Sequence, residues 1–264
     1  MKLPPGPNDS PYYSPDPFDP SDPSPNPIDG SFRRRIHLLR HAEVVYLQSD
    51  GSVVPDPRAV ALTPAGLEQA REVGVMLQDV KFDKALCSGL PRTRQTAEAV
   101  IGGRGIAIDE VPALEEIRSG VRTPVAADRI AWEAAYSLWR AGEPDAAFHN
   151  GERFDEFAQR VHAGIDSVVA QSDWHNLLLV LHGAVNRAVL CWALDAPLSS
   201  FPRFEQDFCC LNVIDIDVDA DGKILRKIVR LVNLTPYDLP KNMLRLTTME
   251  TAAVKLMRLL GLNR

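Results

Sequence analysis

From Arg35 onward, short unbroken apolar runs alternate with stretches whose apolar residues recur every three or four positions. That alternation predicts an α/β domain with a mostly parallel central sheet flanked by helices. Residues 35–40, 84–87, 106–109 and 177–181 read as strands. Thr63-Pro64 places a capping hydroxyl and a first-turn proline before Leu67, Ala70, Val73 and Leu77, which predicts a helix to about residue 79. Further helices are predicted from Pro91 to Ile101, stopped by Gly102-Gly103, from Phe154 to Val169, and over 184–194. Residues 211–219 and 224–232, joined at Asp221-Gly222, predict a hairpin. Thr247-x-x-Glu250 forms a capping box for a last helix through Met249, Ala253, Leu256 and Leu260.

Two regions depart from this rhythm. Residues 118–150 are rich in Ala, Trp and Arg, with helical spacing at Ile130, Ala134 and Leu138 and no strand pattern, so a helical insertion is expected there. Its aromatic residues Trp132, Trp139 and Phe148 are expected to pack rather than to line a pocket. Residues 1–31 hold ten of the 21 prolines and bury too little apolar surface to offset ordering, which predicts a disordered tail. The rest, 32–264, is expected to be one domain, since 264 residues at 45% hydrophobic content suffice for a single large core.

Composition then narrows the function. A net charge of -6 argues against a general binder of nucleic acid or anionic membrane. No run approaches the ~20 apolar residues of a membrane span, and Met-Lys-Leu-Pro-Pro does not open a signal peptide. Cys87, Cys191, Cys209 and Cys210 lack metal-ligand spacing and read as reduced core thiols, which favours the cytoplasm. Asp217-x-Asp219-x-Asp221-Gly222 imitates the start of a calcium loop, but the twelfth position is Ile228 rather than a glutamate, and Ile216 and Val218 alternate as a strand requires.

The chemistry gathers at strand ends. Arg40-His41 follows the run Ile36–Leu39, and His182-Gly183 follows Leu177–Leu181, so both histidines fall at the edge where open α/β sheets form binding crevices. A histidine attacking phosphorus needs one neutral nitrogen, an ordering partner and cations for the phosphoryl oxygens. Arg40 supplies one guanidinium, the group best shaped for paired bonds to phosphate. Arg92 and Arg94 lie in the first turn of the next helix, about 200° apart around it, so only one of them can face the same pocket. A zinc pair of His41 and His182 would need further ligands that the sequence does not offer.

Taken together, Arg40-His41-Ala42-Glu43, Leu62–Ala70, Ser88–Ala97, Leu114–Gly120 and His182-Gly183 resemble the ordered motifs of the histidine phosphatase superfamily, in its phosphoglycerate mutase-like branch. The resemblance spans roughly 35–235 and implies a three-layer sandwich. It selects Arg92 over Arg94 and Glu116 over Glu115. By the same resemblance, His41 would carry the phosphoryl group, Arg40, Arg92 and His182 would bind its oxygens, and Glu116 would act as general acid and base. No metal or other cofactor is implied, and the partner expected is a small phosphorylated substrate; the sequence does not fix the oligomeric state.

The chain also departs from the family pattern. Ala42 replaces a glycine, Val44 stands where threonine is common, the following asparagine is missing, and Leu181 replaces a serine. Lost donors disfavour a phosphoglycerate mutase, which must hold two anionic groups, and favour phosphomonoester hydrolysis. A non-catalytic phospholigand- or partner-binding module is the remaining alternative.

Overall fold

A computed structural model describes residues 24–26, 28–48, 52, 54–120, 127–259 and 261–262. Most of the proline-rich tail therefore lies outside the described residues, as does Leu260 of the last helix. The strands are β1 (Phe32–Arg40), β2 (Lys84–Cys87), β3 (Ile108–Glu110), β4 (Asn176–Leu181), β5 (Leu211–Val218) and β6 (Ile224–Leu234). The helices are α1 (Pro64–Met76), α2 (Pro91–Ile101), α3 (Ala127–Tyr136), α4 (Phe154–Val169), α5 (Gly183–Ala193) and α6 (Thr248–Leu259).

One sheet runs in the order β3-β2-β4-β1-β5-β6. Its first four strands are parallel, and β5 and β6 add an antiparallel half. The apolar run Leu177–Leu181 of β4 sits inside the parallel half because both of its faces are covered. Leu177 and Leu179 join Phe157, Val161 and Ile165 of α4 and Val185 and Val189 of α5. Leu178 and Val180 point the other way, to Ala70 and Val73 of α1 and Ala97 and Val100 of α2. Each such leucine, fully buried, contributes about 1.5–3 kcal/mol. The result is the three-layer sandwich.

The antiparallel half uses charge where the parallel half uses apolar contact. Buried Asp217 accepts from Arg33 at 2.7 Å and Arg226 at 2.8 Å, and buried Asp215 from Arg35 at 2.6 Å and Arg230 at 2.7 Å. Asp219 accepts the backbone N–H of Asp221 and Lys223 in the turn. The acidic spacing that imitates a calcium loop is thus a cross-strand ion-pair ladder and a hairpin turn.

Several boundaries differ from expectation. Helix α1 stops at Met76 rather than near 79, and Arg104 closes that end by donating to the carbonyl oxygens of Leu77 (3.0 Å), Val100 (2.5 Å) and Ile101 (2.8 Å). One guanidinium so satisfies the ends of both α1 and α2. β3 is only the three residues that reach β2. The 118–150 region is not continuously helical: it holds α3, tight 3-10 turns at Ser137–Gly142 and Phe148–Asn150, and a stretch at 121–126 outside the described residues. Phe148 packs against Phe154, but Trp132 and Trp139 are 55% and 54% exposed, against the expectation that they pack. α3 lies instead against α6, where Tyr136 donates to Glu250 at 3.3 Å. The capping box at the start of α6 is reciprocal, with Thr247 N–H on Glu250 at 2.8 Å and Glu250 N–H on Thr247 at 3.1 Å.

Candidate active site

β1 and β4 are neighbours with Arg40 opposite Leu181, so His41 and His182 leave the sheet at the same level. Their ring centroids are 5.4 Å apart, and both rings are buried. His41 Nδ1 lies 2.8 Å from the Ala42 carbonyl oxygen, which can only accept. Nδ1 therefore carries the proton and Nε2 keeps its lone pair. Burial pushes the His41 pKa well below 6.5, Arg40 and Arg92 push it further, and the Ala42 carbonyl opposes them. The ring is neutral at pH 7.

The residues around this turn explain the two helical motifs. Thr96 Oγ1 donates to the Arg92 carbonyl at 2.7 Å and accepts the Ala42 N–H at 3.0 Å. Gln69 accepts the Glu43 N–H at 3.0 Å, Thr63 donates to the Glu43 carboxylate at 2.9 Å, and Gln95 accepts the Leu62 N–H at 2.9 Å. A Cβ at Gly66 would lie 2.3 Å from the Glu43 carbonyl oxygen, so only glycine lets α1 approach that closely. The motif side chains are clamps on the strand exit that carries His41.

His182 is held by its other nitrogen. Its Nε2 is 2.8 Å from Ser88 Oγ, which is 3.0 Å from Thr93 Oγ1. The Thr93 hydroxyl donates to the Leu90 carbonyl at 2.8 Å, so the Ser88 proton goes to Thr93 and His182 Nε2–H donates to Ser88. That leaves Nδ1, which is buried without a partner. Burial again lowers the pKa well below 6.5, with Arg92, His41 and Arg40 adding to it.

The cations converge here. Arg40 donates to the Gln206 carbonyl at 2.6 Å and lies 4.1 Å above the Phe208 ring, while its Nε is buried and unpartnered. Arg92, 3% exposed, donates to the Pro57 carbonyl at 3.1 Å, and its Nε is also unpartnered. Arg94 turns away and pairs with Glu110 at 2.5 Å. Glu116 accepts the Ile117 N–H at 3.1 Å and the Ala184 N–H at 3.4 Å, which sets its carboxyl at the first turn of α5. Glu115 pairs with Arg58 at 2.8 Å. All five sequence-predicted residues thus lie around the ends of β1 and β4.

Sequence reasoning missed Arg187. Buried on α5, it donates to the Gly183 carbonyl at 2.9 Å and to Glu205 at 3.2 Å, and its Nε has no partner. A Cβ on Gly183 would lie 3.3 Å from both Arg187 Nη1 and Arg40 Nε, so the two guanidiniums flank the same glycine. Its place four residues after Gly183, on one helix face with it, is the signal that was available. Among the described residues no group of three or more His, Cys, Asp or Glu has the geometry of a metal site.

Residues 36–228 match the histidine phosphatase superfamily (branch 1). The chain belongs to that superfamily. It is similar to the adenosylcobalamin/alpha-ribazole phosphatase of Salmonella typhimurium, 33% identical over 188 residues that cover 69% of this chain and 90% of the relative. It is also similar to a probable phosphoglycerate mutase, GpmB, of Erwinia tasmaniensis, 26% identical over 185 residues that cover 69% of this chain and 84% of the relative. Among solved structures, the alpha-ribazole phosphatase from Shigella flexneri superposes with a TM-score of 0.59 at 29% identity, covering 75% of this chain and 96% of that chain. As a member of this superfamily, the chain is an α/β phosphatase of the phosphoglycerate mutase-like fold. No helix among the described residues is long and apolar enough to cross a membrane.

Proposed function

We propose that this chain hydrolyses a small phosphomonoester through a phosphohistidine at His41, with Arg40, Arg92 and His182 binding the phosphoryl oxygens and Glu116 as general acid and base. One observation carries the assignment. Around a neutral His41 whose Nδ1 is occupied, Arg40 Nε, Arg92 Nε and His182 Nδ1 are buried without partners. A buried guanidinium N–H left unpaired costs about 1–3 kcal/mol or more, and phosphoryl oxygens remove that cost, while His182 Nδ1, a lone pair in the free protein, becomes a donor when the ring takes up a proton beside the phosphoryl group.

The steps follow from the geometry. His41 Nε2 attacks phosphorus as the ester P–O bond breaks, and Glu116 in its acid form gives its proton to the leaving oxygen. The charge gained by the His41 ring is stabilised through Nδ1–H on the Ala42 carbonyl. Water then gives a proton to Glu116 and attacks phosphorus, the P–N bond breaks, and inorganic phosphate leaves with His41 neutral again. The two arginines, joined by His182 once it is protonated beside the phosphoryl group, offset the phosphoryl charge, so no step needs a metal.

A mutase must also hold a second anion on its substrate. Val44 and Leu181, where a hydroxyl would serve that purpose, are buried apolar side chains, which supports hydrolysis. Because relatives are named for alpha-ribazole, the phosphate ester of alpha-ribazole heads the substrate panel. The same reading puts the protein in the cytoplasm, where its four buried, free cysteines stay reduced. Brief incubation with a labelled aryl phosphate and a quench should leave an acid-labile, base-stable label on the wild type. Absence of label, with activity surviving His41→Ala, would sink the mechanism.

A further inference from the structure

Glu116 sits in a segment with little regular structure of its own, between β3 and α3. Leu114 and Ile117 plug into the core on either side of it. Its backbone is gripped from α4 and from the turn before α4. Arg160 Nη1 donates to the carbonyl oxygens of Ala113 (2.7 Å) and Glu115 (3.0 Å). Arg160 Nε and Nη2 meet Glu152 Oε1 and Oε2, each at 2.9 Å, in a two-pronged pair. Glu152 then accepts the Arg118 N–H at 3.0 Å, and its own N–H donates to the Arg118 carbonyl at 2.8 Å. The two side chains are only 20% and 11% exposed. Beyond them the backbones touch, since a Cβ at Gly120 would lie 2.2 Å from the Asn150 carbonyl oxygen and one at Gly151 2.2 Å from that of Arg118.

These contacts fall at positions 113, 115 and 118 and bracket Glu116 without touching its carboxyl. We propose that Arg160 and Glu152 are a positioning pair that holds Glu116 over the first turn of α5, and so set the efficiency of proton transfer to the leaving group. The inference rests on Glu116 being the general acid. An arginine suits the task because its planar fork fixes a carboxylate and two carbonyls at once, whereas lysine offers a single point of charge. General acids act only within hydrogen-bond reach of the atom they protonate, so a loosened loop costs rate with no loss of substrate contact.

The test uses two aryl phosphates that differ in their need for a proton. 2,4-Dinitrophenolate leaves unprotonated; phenolate does not. The pre-steady-state release of each phenol is measured for the wild type, Arg160→Met, Arg160→Lys, Glu152→Gln and Glu116→Gln, with circular dichroism and Tm to check folding. Arg160→Met should lose roughly 10²-fold with phenyl phosphate and under about fivefold with the dinitrophenyl ester, with KM little changed. Arg160→Lys should behave alike, Glu152→Gln should fall between, and Glu116→Gln should show the same selectivity for the better leaving group. Equal losses on both esters in folded Arg160 and Glu152 variants, while Glu116→Gln stays selective, would overturn the positioning role and leave Glu116 in place. An unselective Glu116→Gln would overturn Glu116 as general acid, and the positioning role with it. If Arg160→Met does not fold, Arg160→Lys and Glu152→Gln decide the matter on the same readout.

Discussion

His41 and His182 end adjacent parallel strands at one level, are both buried and both have depressed pKa values, yet they are held by opposite nitrogens. His41 spends Nδ1 on the Ala42 carbonyl and keeps Nε2. His182 spends Nε2 on Ser88 and keeps Nδ1. The difference comes from what lies within reach of each ring. The chain just past β1 turns its own carbonyl back onto the imidazole, whereas α5 starts at once after His182, so its partner must come from another strand end. In the proposed reaction one free nitrogen is an attacking lone pair and the other a site for an oxygen of the group transferred. Two similar strand-end histidines acquire distinct tasks from one hydrogen bond each.

This contrast can be broken from either side. We predict that His41→Ala, which removes the attacking nitrogen, lowers kcat/KM by about 10⁴-fold or more, measured with an aryl phosphate. His182→Ala should cost less, roughly 10²–10³-fold, because an oxyanion partner is lost and the attacking group is not. It should still form the phosphoenzyme, slowly. If the two variants lose activity equally and neither forms phosphoenzyme, the two rings do not have separate tasks.

How much of this was legible beforehand differs between the scaffold and the clamps. The apolar run at 177–181 announced the strand β4, and Thr63-Pro64 and Pro91 announced helix starts that α1 and α2 keep. Helical spacing limited the choice to Arg92 or Arg94 without making it. The structure turns Arg92 inward and leaves Arg94 on Glu110, which comes from the next strand and could not be read locally. The tasks of Gln69, Ser88 and Thr96 were hidden for the same reason, since each bonds to a residue 26 to 94 positions away. The two tryptophans of the 118–150 region, expected to pack, make only partial contacts, Trp132 with Tyr136 and Trp139 with Arg203, and stay exposed. Arg187 was overlooked because its place four residues after Gly183 becomes informative only once α5 is seen to start at the site.

Ser88 offers a finer cut, because it acts on one histidine only. We predict that Ser88→Ala leaves His41 and its bond to Ala42 in place but frees His182 Nε2, so that the ring is no longer held to one proton arrangement. The expected loss is roughly tenfold in kcat/KM, the usual scale for removing a residue that orients a functional imidazole. The rate of phosphoenzyme formation should fall while the phosphoenzyme still accumulates on His41. A loss as large as that of His182→Ala would mean that Ser88 holds the strand end itself and not merely the ring.

The smallest effect is also the most direct view of the comparison. Because burial lowers both pKa values well below 6.5, neither ring should titrate around that pH in the free protein, as followed by the ring nitrogen shifts in NMR. Stability should nonetheless decline as pH falls below 6.5, since the unfolded chain takes up protons that folded His41, His182 and His37 (pKa about 4) refuse. A Tm that falls steadily from pH 6.5 toward 4 checks that sign. Saturating inorganic phosphate should then separate the rings. An anion beside the open His182 Nδ1 favours the charged imidazolium, which can donate to Ser88 and to the phosphate together, so the His182 pKa rises. His41, whose Nε2 must face phosphorus with its lone pair, should remain neutral under the same conditions. Charging of His41 by phosphate, or of both rings alike, would reverse the assignment of attacker and binder.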